Sequence, residues 1–233
     1  MAYKTGPKLV TSGLQMCLDA SDKNCYSGTG TSMTELVSNY NDGYQALING
    51  PTFSTENAGV IVLDGSNDYI TVKQIDSQLY TICLWVKFDT VANDATHVII
   101  RQGYSPANYG LYLVNGVLHT YGVGSGGNHF SSTSITLSAG NWYNIVYIKN
   151  WTLSKEAIYI NGVLQYGLSD FSAGTYSFNN SSQSYNYTDL GRNVSNNNSF
   201  VDGRYASLLI YNRLLGLTEI EQNFDAQRAK FGV

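Results

Sequence analysis

Hydrolysis of a glycosidic bond needs only two carboxyl groups, so the acidic residues are the first place to look for chemistry. A retaining glycosidase holds its acid and its nucleophile about 5–5.5 Å apart, a spacing that a β-strand meets with carboxylates two residues apart, as in E-x-D-x-E. The chain has five glutamates, Glu35, Glu56, Glu156, Glu219 and Glu221. Glu219 and Glu221 stand two apart, but in a stretch that reads as helix, where such neighbours do not share a face. No strand carries paired carboxylates, so the chain is expected not to be an enzyme and no catalytic residue is assigned. His97, His119 and His129 stand apart, with no nucleophile motif beside them. His97 precedes the apolar run Val98–Ile100 and reads as a half-buried strand residue. Gly122–Gly127 (GVGSGG) has the look of a phosphate loop but lacks the following Lys-Ser/Thr and precedes no helix, so it reads as a flexible inter-strand loop. Cys17, Cys25 and Cys83 show neither CxxC nor Cys/His spacing for zinc. Cys17 and Cys83 sit in strand-like runs and read as small core residues.

Binding residues are sought in the polar stretch Ser169–Asn198, which is poor in aliphatic residues yet rich in Tyr and Phe. One reading makes it long surface loops around a short strand, Tyr187–Gly191. The sharper reading makes it a ligand-facing rim, with Tyr176, Tyr185 and Tyr187 as stacking platforms and Asp189 bonding to ligand hydroxyls. Asp68, in the tight turn Gly65-Ser66-Asn67-Asp68, places a carboxylate where it can bond nearby amides.

These residues must be positioned by strands. Of 233 residues, 43% are hydrophobic and only 13% charged, about half the usual charged share. Gly (23), Asn (23), Ser (24) and Tyr (19) take the place of charge, a mixture suited to many short strands and tight turns. Tyr80–Phe88 alternates, with Ile82, Leu84, Val86 and Phe88 on one face and Thr81, Cys83, Trp85 and Lys87 on the other. Because Trp85 lies on the second face, that face too is expected to be covered. Asn115-Gly116 and Asn161-Gly162, each between apolar runs, predict type I′ hairpins. Trp142–Lys149 is expected to pair with Ala157–Asn161, and Val60–Asp64 and Tyr69–Lys73 to flank the Gly65–Asp68 turn. The C-terminus alone looks helical: Thr218 with Glu221 reads as a capping box, Ile220, Phe224 and Phe231 recur near helical spacing, and Leu214, Leu215 and Leu217 are expected to cover the core edge.

The net charge of −4, the pI of about 5.2 and the scatter of the 13 basic residues argue against a nucleic-acid partner, since a phosphate-binding face needs clustered Lys and Arg. No 18-residue apolar run occurs, so membrane insertion is not expected. The N-terminus MAYKTGPKLV lacks the apolar stretch of a secretory signal, which points to synthesis in the cytoplasm. From Gln102 to Ile148 there is no Lys, Arg, Asp or Glu. A surface so poor in charge and rich in Tyr suits burial against a partner, and a homo-oligomer is expected.

Two segments carry a resemblance. GLQMCLDASDKNCYSGTG, LINGPTFSTENAG and VLDGSNDYITV follow in order between Gly13 and Val72, and RYASLLIYNRLLGLTEIEQNFDAQRAKFGV closes the chain from Arg204. Together they resemble the laminin G-like, concanavalin A-like lectin/glucanase jelly rolls found in bacteriophage virion proteins and bacterial surface proteins. The resemblance implies an all-β sandwich of two curved antiparallel sheets, about six or seven strands each, with a short C-terminal helix closing one end. No Pro- or Gly-rich linker or shift in composition marks a second domain, so a single domain is expected over 1–233, with residues 1–12 as an extended N-terminal arm. The resemblance also implies a structural role in a virion (capsid decoration, head fibre or tail-associated module) among other capsid or tail proteins, with adhesion to a cell-surface glycan. The alternative is a carbohydrate-binding module of a bacterial or phage surface protein. Many such domains bind Ca2+ through the turn carboxylate, here Asp68, and an acidic residue on the last strand. Ala206 stands at that second position, so Asp68 is read as a structural turn residue and no cofactor is expected.

Overall fold

The alternation Leu79–Phe88 becomes the middle strand of one of two packed sheets. The computed structural model describes residues 7–37, 45–74, 77–91, 96–102, 109–124, 127–153, 155–170, 187–193 and 197–233. In chain order the strands are β1 (Leu14–Asp19), β2 (Ser32–Met33), β3 (Gln45–Ile48), β4 (Thr52–Ser54), β5 (Val60–Asp64), β6 (Tyr69–Lys73), β7 (Leu79–Phe88) and β8 (Thr96–Gln102). They continue with β9 (Tyr109–Val114), β10 (Val117–Gly124), β11 (Gly127–Thr136), β12 (Trp142–Asn150), β13 (Lys155–Ile160), β14 (Val163–Asp170), β15 (Tyr187–Leu190) and β16 (Asp202–Tyr211). One helix, α1 (Leu217–Gln227), follows. The first sheet runs β14-β13-β12-β7-β16-β5-β4, with β1 also paired to β16; the second runs β11-β10-β9-β8-β15-β6-β3-β2. Every described pairing is antiparallel. Each sheet therefore has eight described strands, more than the six or seven expected, because short strands such as β2 and β4 extend the edges.

The main core lies between the sheets. Tyr80, Ile82, Leu84, Val86 and Phe88 of β7 meet Ile70 and Val72 of β6, Ile99 and Ile100 of β8 and Leu111 and Leu113 of β9. Asn115 and Asn161 have φ of 52° and 51°, followed by Gly116 and Gly162 at 76° and 79°, as the two hairpins require. Cys17 and Cys83 lie in a second core on the outer face of the first sheet, and Cys25 is also buried. Burial is the main force pushing the thiols up, to about 12 for Cys17 and Cys83 and about 11 for Cys25.

Val60–Asp64 and Tyr69–Lys73 do flank the Gly65–Asp68 turn, and because β5 belongs to the first sheet and β6 to the second the turn carries the chain across the sandwich. Several expectations are corrected. Of the stretch read as a flexible loop, Gly122, Gly124 and Gly127 belong to the β10–β11 ladder, and residues 125 and 126 lie outside the described residues. The helix does not close one end; it lies on the outer face of the first sheet, with Ile220 in the core formed by Cys83, Val146 and Leu209. Leu217 is exposed rather than covering the core edge. The helix starts two residues earlier than a Thr218 cap would place it. Gly216 is its N-cap, and its amide donates to Glu219 Oε2 at 3.0 Å. Arg213 sets this choice by holding the same carboxylate with two hydrogen bonds of 2.8 and 2.6 Å. Arg213, then the Gly216 amide, pull the Glu219 carboxyl down to about 2. A depressed carboxyl contributes stability above its unfolded pKa, and the contribution is lost as pH falls through the folded value. Glu219→Gln should therefore cost about 0.5–1 kcal/mol at neutral pH, with the difference vanishing near pH 2 in denaturant titrations. A cost independent of pH would mean that the carboxylate charge is not what caps the helix.

The N-terminal segment packs beside α1. The Val10 amide donates to Asn223 Oδ1 at 2.9 Å, and Tyr211 OH donates to Val10 O at 2.9 Å.

Candidate functional site

Side chains on the outer face of the second sheet follow from strand alternation. Ile70, Val72, Leu111, Leu113, Leu118 and Leu190 point into the core, so their neighbours point outward. Cross-strand register then lines up one row over six strands: Thr71 on β6, Asp189 on β15, Arg101 on β8, Gly110 on β9, Tyr121 on β10 and Phe130 on β11. The row passes from hydroxyl and carboxylate through guanidinium to aromatic rings. Gly110 is needed there, because a Cβ would lie 2.7 Å from Cε2 of Tyr112 and 3.0 Å from the Ile100 carbonyl.

The polar end is tightly bonded. Asp189, fully buried, accepts from Thr71 Oγ1 at 2.8 Å and from Arg192 Nε at 2.6 Å. Burial raises its carboxyl above the ordinary range, although Thr71 and Arg192 oppose the shift. The Arg192 guanidinium lies 3.4 Å from the ring centre of Tyr69 and donates to Asn197. Arg101 is 7% exposed. It donates to Asn193 Oδ1 and sits over the rings of Tyr121 at 4.9 Å and Tyr112 at 5.9 Å. The aromatic end is more open. Phe130 is 51% exposed and stacks on His119 at 4.6 Å, and Tyr112 meets both Tyr121 and Phe130. Burial lowers the His119 pKa, favouring its neutral form.

Of the residues chosen from sequence, Tyr187 and Asp189 share this face, two apart on β15. Tyr187 is half-buried and pairs with Lys73; Asp189 is turned into hydrogen bonds rather than presented to solvent. Tyr176 and Tyr185 lie outside the described residues. Sequence reasoning missed Arg101, Tyr112, Tyr121, Phe130, His119 and Arg192. The alternation in Tyr109–Leu113 and Leu118–Tyr121 could have placed Tyr112 and Tyr121 outward, but nothing in the chain shows that Arg101 falls in line with them.

Asp68 lies elsewhere, at the crossing between the sheets. It is buried, and its Oδ2 accepts from the Asp64 amide at 3.2 Å. Burial, then the Asp64 carboxylate, raise its pKa. Asp64 Oδ1 accepts from Ser66 and Asn67 amides. Ala206, expected to face the metal position, instead packs with Trp85 and Phe231 on the outer face of the first sheet. The β16 residue opposite Asp64 is Asp202. Asp68 through Oδ2 and Asp64 through Oδ1 thus bond amides of the turn itself. Among the described residues, no cluster of three or more His, Cys, Asp or Glu could hold a metal, and no helix is long and apolar enough to cross a membrane.

A family model described as the concanavalin A-like lectin/glucanases superfamily (Laminin_G_3) matches residues 64–221, more than half of the chain. No curated protein matches. Among solved structures the chain is similar to domain 4 of a GH43 extracellular arabinanase from Geobacillus stearothermophilus in complex with arabinotriose, with a TM-score of 0.66 and 15% identity over 91% of this chain and 98% of that one. It is similar to a sialidase of Trypanosoma rangeli, with a TM-score of 0.67 and 16% identity over 95% of this chain and 34% of that one. It is also similar to the receptor-binding domain of botulinum neurotoxin type G, with a TM-score of 0.65 and 16% identity over 92% and 51%. The chain thus spans about a third of the sialidase and half of the toxin domain.

Proposed function

The chain belongs to the concanavalin A-like lectin/glucanases superfamily, and from that premise we propose that it is a non-catalytic carbohydrate-binding domain whose ligand lies across the outer face of the second sheet. The observation that carries this reading is the registered row from Asp189 through Arg101 to Tyr121 and Phe130. Flat, partly exposed rings beside fixed hydrogen-bonding groups are what a sugar needs, since a sugar has an apolar face and an equatorial rim of hydroxyls. The arabinanase domain, solved with arabinotriose, supports the class of ligand. The reading as a non-enzyme is supported by the state of the carboxylates. Glu56 pairs with Lys87 and Arg204, Glu156 with Lys149 and Glu219 with Arg213, and a carboxylate held by a cation makes a poor acid; Asp189, whose carboxyl is raised by burial, is bound on both oxygens by Thr71 and Arg192 and is not turned to a ligand.

A second reading, as a capsid decoration, head-fibre or tail-associated protein of a phage virion, rests on the phage-like motif order and on exposed apolar residues. Val163 and Leu164 stand open on the edge strand β14, and Leu153 on the nearby turn. The two readings are compatible in a virion protein that adheres to a host glycan.

A glycan array, with polysaccharide turnover measured in parallel, tests the first reading. Binding without turnover is expected, and Tyr121→Ala or Phe130→Ala should weaken it about tenfold, or about 1.4 kcal/mol. Turnover that disappears on replacing Asp68 or Asp189 would overturn the non-catalytic reading. A protein that bound no glycan but formed assemblies persisting in high salt would move the function to virion assembly.

A further inference from the structure

The outer face of the second sheet holds a charge that its own residues leave uncompensated. Two guanidiniums, Arg101 and Arg192, stand along β8 and the end of β15, with one carboxylate, Asp189, between them. Asp189 is the cross-strand neighbour of Arg101, yet its outer oxygen is taken by Arg192 at 2.6 Å and its other oxygen by Thr71. Arg101 is left with the neutral amide oxygen of Asn193 and the faces of two tyrosines. Among the described residues, no carboxylate pairs with it. Arginine cannot shed its proton, so it cannot escape burial by becoming neutral, as a lysine or histidine would. Buried charges in proteins are paired, and an unpaired guanidinium that is 7% exposed calls for an anion.

Polar atoms without a hydrogen-bond partner lie on neighbouring strands of the same face. Arg101 Nε and His119 Nδ1 have no hydrogen-bond partner, and the Tyr112 hydroxyl, on a side chain 5% exposed, makes none of good geometry although it lies within reach of the Arg101 charge. All three belong to neighbouring positions on β8, β9 and β10, on one face and beside the rings of Tyr121 and Phe130. The missing side chain at Gly110, between Arg101 and Tyr121, leaves the guanidinium and the ring in line without a Cβ between them. The whole molecule has a net charge of −4, so it is this local pairing, rather than the protein's overall field, that would draw an anion.

We propose that Arg101, with Tyr112 and His119, recognises the carboxylate of an acidic sugar, a uronic or sialic acid unit whose ring lies toward Tyr121 and Phe130. A guanidinium presents two parallel N–H groups that match the two oxygens of a carboxylate. A carboxylate on a sugar ring then brings the apolar face of that ring to the adjacent aromatic side chains. This inference rests on the carbohydrate-binding reading and names the class of sugar.

Paired ligands separate the two. The intact protein is titrated calorimetrically with oligogalacturonate, oligomannuronate and sialyllactose, each beside its counterpart lacking the acid: the two carboxyl-reduced oligomers and lactose. At least one acidic member is expected to bind about tenfold or more tighter than its neutral counterpart, the range of one charge-assisted hydrogen bond. Arg101→Lys, which keeps the charge and loses the fork, should erase most of that preference while leaving the weaker binding of the neutral member in place. Equal binding of acidic and neutral members would overturn the carboxylate assignment and leave the carbohydrate reading standing. A preference retained in Arg101→Gln would also overturn it, placing the acid elsewhere. Binding of none of the six would overturn both. Because the wild-type comparison needs no substitution, a variant that failed to fold would not rescue the proposal.

Discussion

Replacing Lys149 by methionine should cost about 3–5 kcal/mol of folding stability, the loss expected when one partner of a buried ion pair is removed. Lys149 on β12 and Glu156 on β13 face each other directly, and both are 1% exposed. They point between the sheets, where alternation places Tyr147 and Ile158 in the main core. Glu156 Oε2 accepts from Lys149 Nζ at 2.7 Å and from Tyr147 OH at 2.9 Å; Oε1 accepts from Thr120 Oγ1 at 2.7 Å, on a strand of the opposite sheet. The ammonium also sits 4.7 Å from the Trp151 ring centre. One carboxylate thus ties the two sheets together, and without Lys149 its charge would stay buried. The double variant Lys149→Met/Glu156→Leu should recover much of the loss, since apolar residues can replace a buried pair at little cost. Recovery should be incomplete, because Tyr147 and Thr120 lose their acceptor at about 1 kcal/mol or more each. Urea denaturation of the three variants decides it. A single variant within about 0.5 kcal/mol of wild type would mean that water reaches the pair.

Trp85→Ala should cost a similar 3–5 kcal/mol, typical of truncating a buried tryptophan, and should also loosen α1. Trp85, 1% exposed, stands on the outer face of β7 and stacks on Phe231 with centroids 4.0 Å apart and planes 17° apart. Phe224 of α1 stacks at 5.9 Å, and the indole N–H donates to Gln227 Oε1 at 2.9 Å. Trp85 thus contacts both α1 and the residues after it, alongside the packing of Ile220 in the second core and of Phe231 on Trp142. Calorimetric unfolding should show the loss, and hydrogen exchange in α1 should accelerate beyond that of β7. Unchanged exchange in α1 would mean that Ile220 and Asn223, packed against the second core and the N-terminal segment, hold the helix without it. Trp142, on the neighbouring strand and 7% exposed, meets the same Phe231 at 4.8 Å, so Trp142→Ala belongs to the same class of effect.

By itself the sequence determined the local elements, because their causes are local. Alternation in Tyr80–Phe88 placed both faces of β7 correctly, including the covered face beneath Trp85. Asn-Gly pairs named two hairpins, since few other residues adopt positive φ so readily. The alternation of Trp142–Lys149 was enough to pair it with β13. Only the tertiary structure decided where the chain crosses between sheets, how the helix lies and which residues make the candidate site. The Gly65–Asp68 turn reads the same whether the next strand pairs with the last or leaves for the other sheet; the difference lies in distant partners, β16 for one and β15 for the other. The helix cap was misplaced because Thr218 and Glu221 have suitable spacing, while the deciding contact comes from Arg213, outside the pattern. The site was the least legible of all. Arg101, Gly110, Tyr121 and Phe130 meet Asp189 through the register of neighbouring strands, and a shift of one residue in any pairing would turn that strand's contribution into the core. Register is fixed by the packing of the whole sandwich, and no single stretch of sequence contains it.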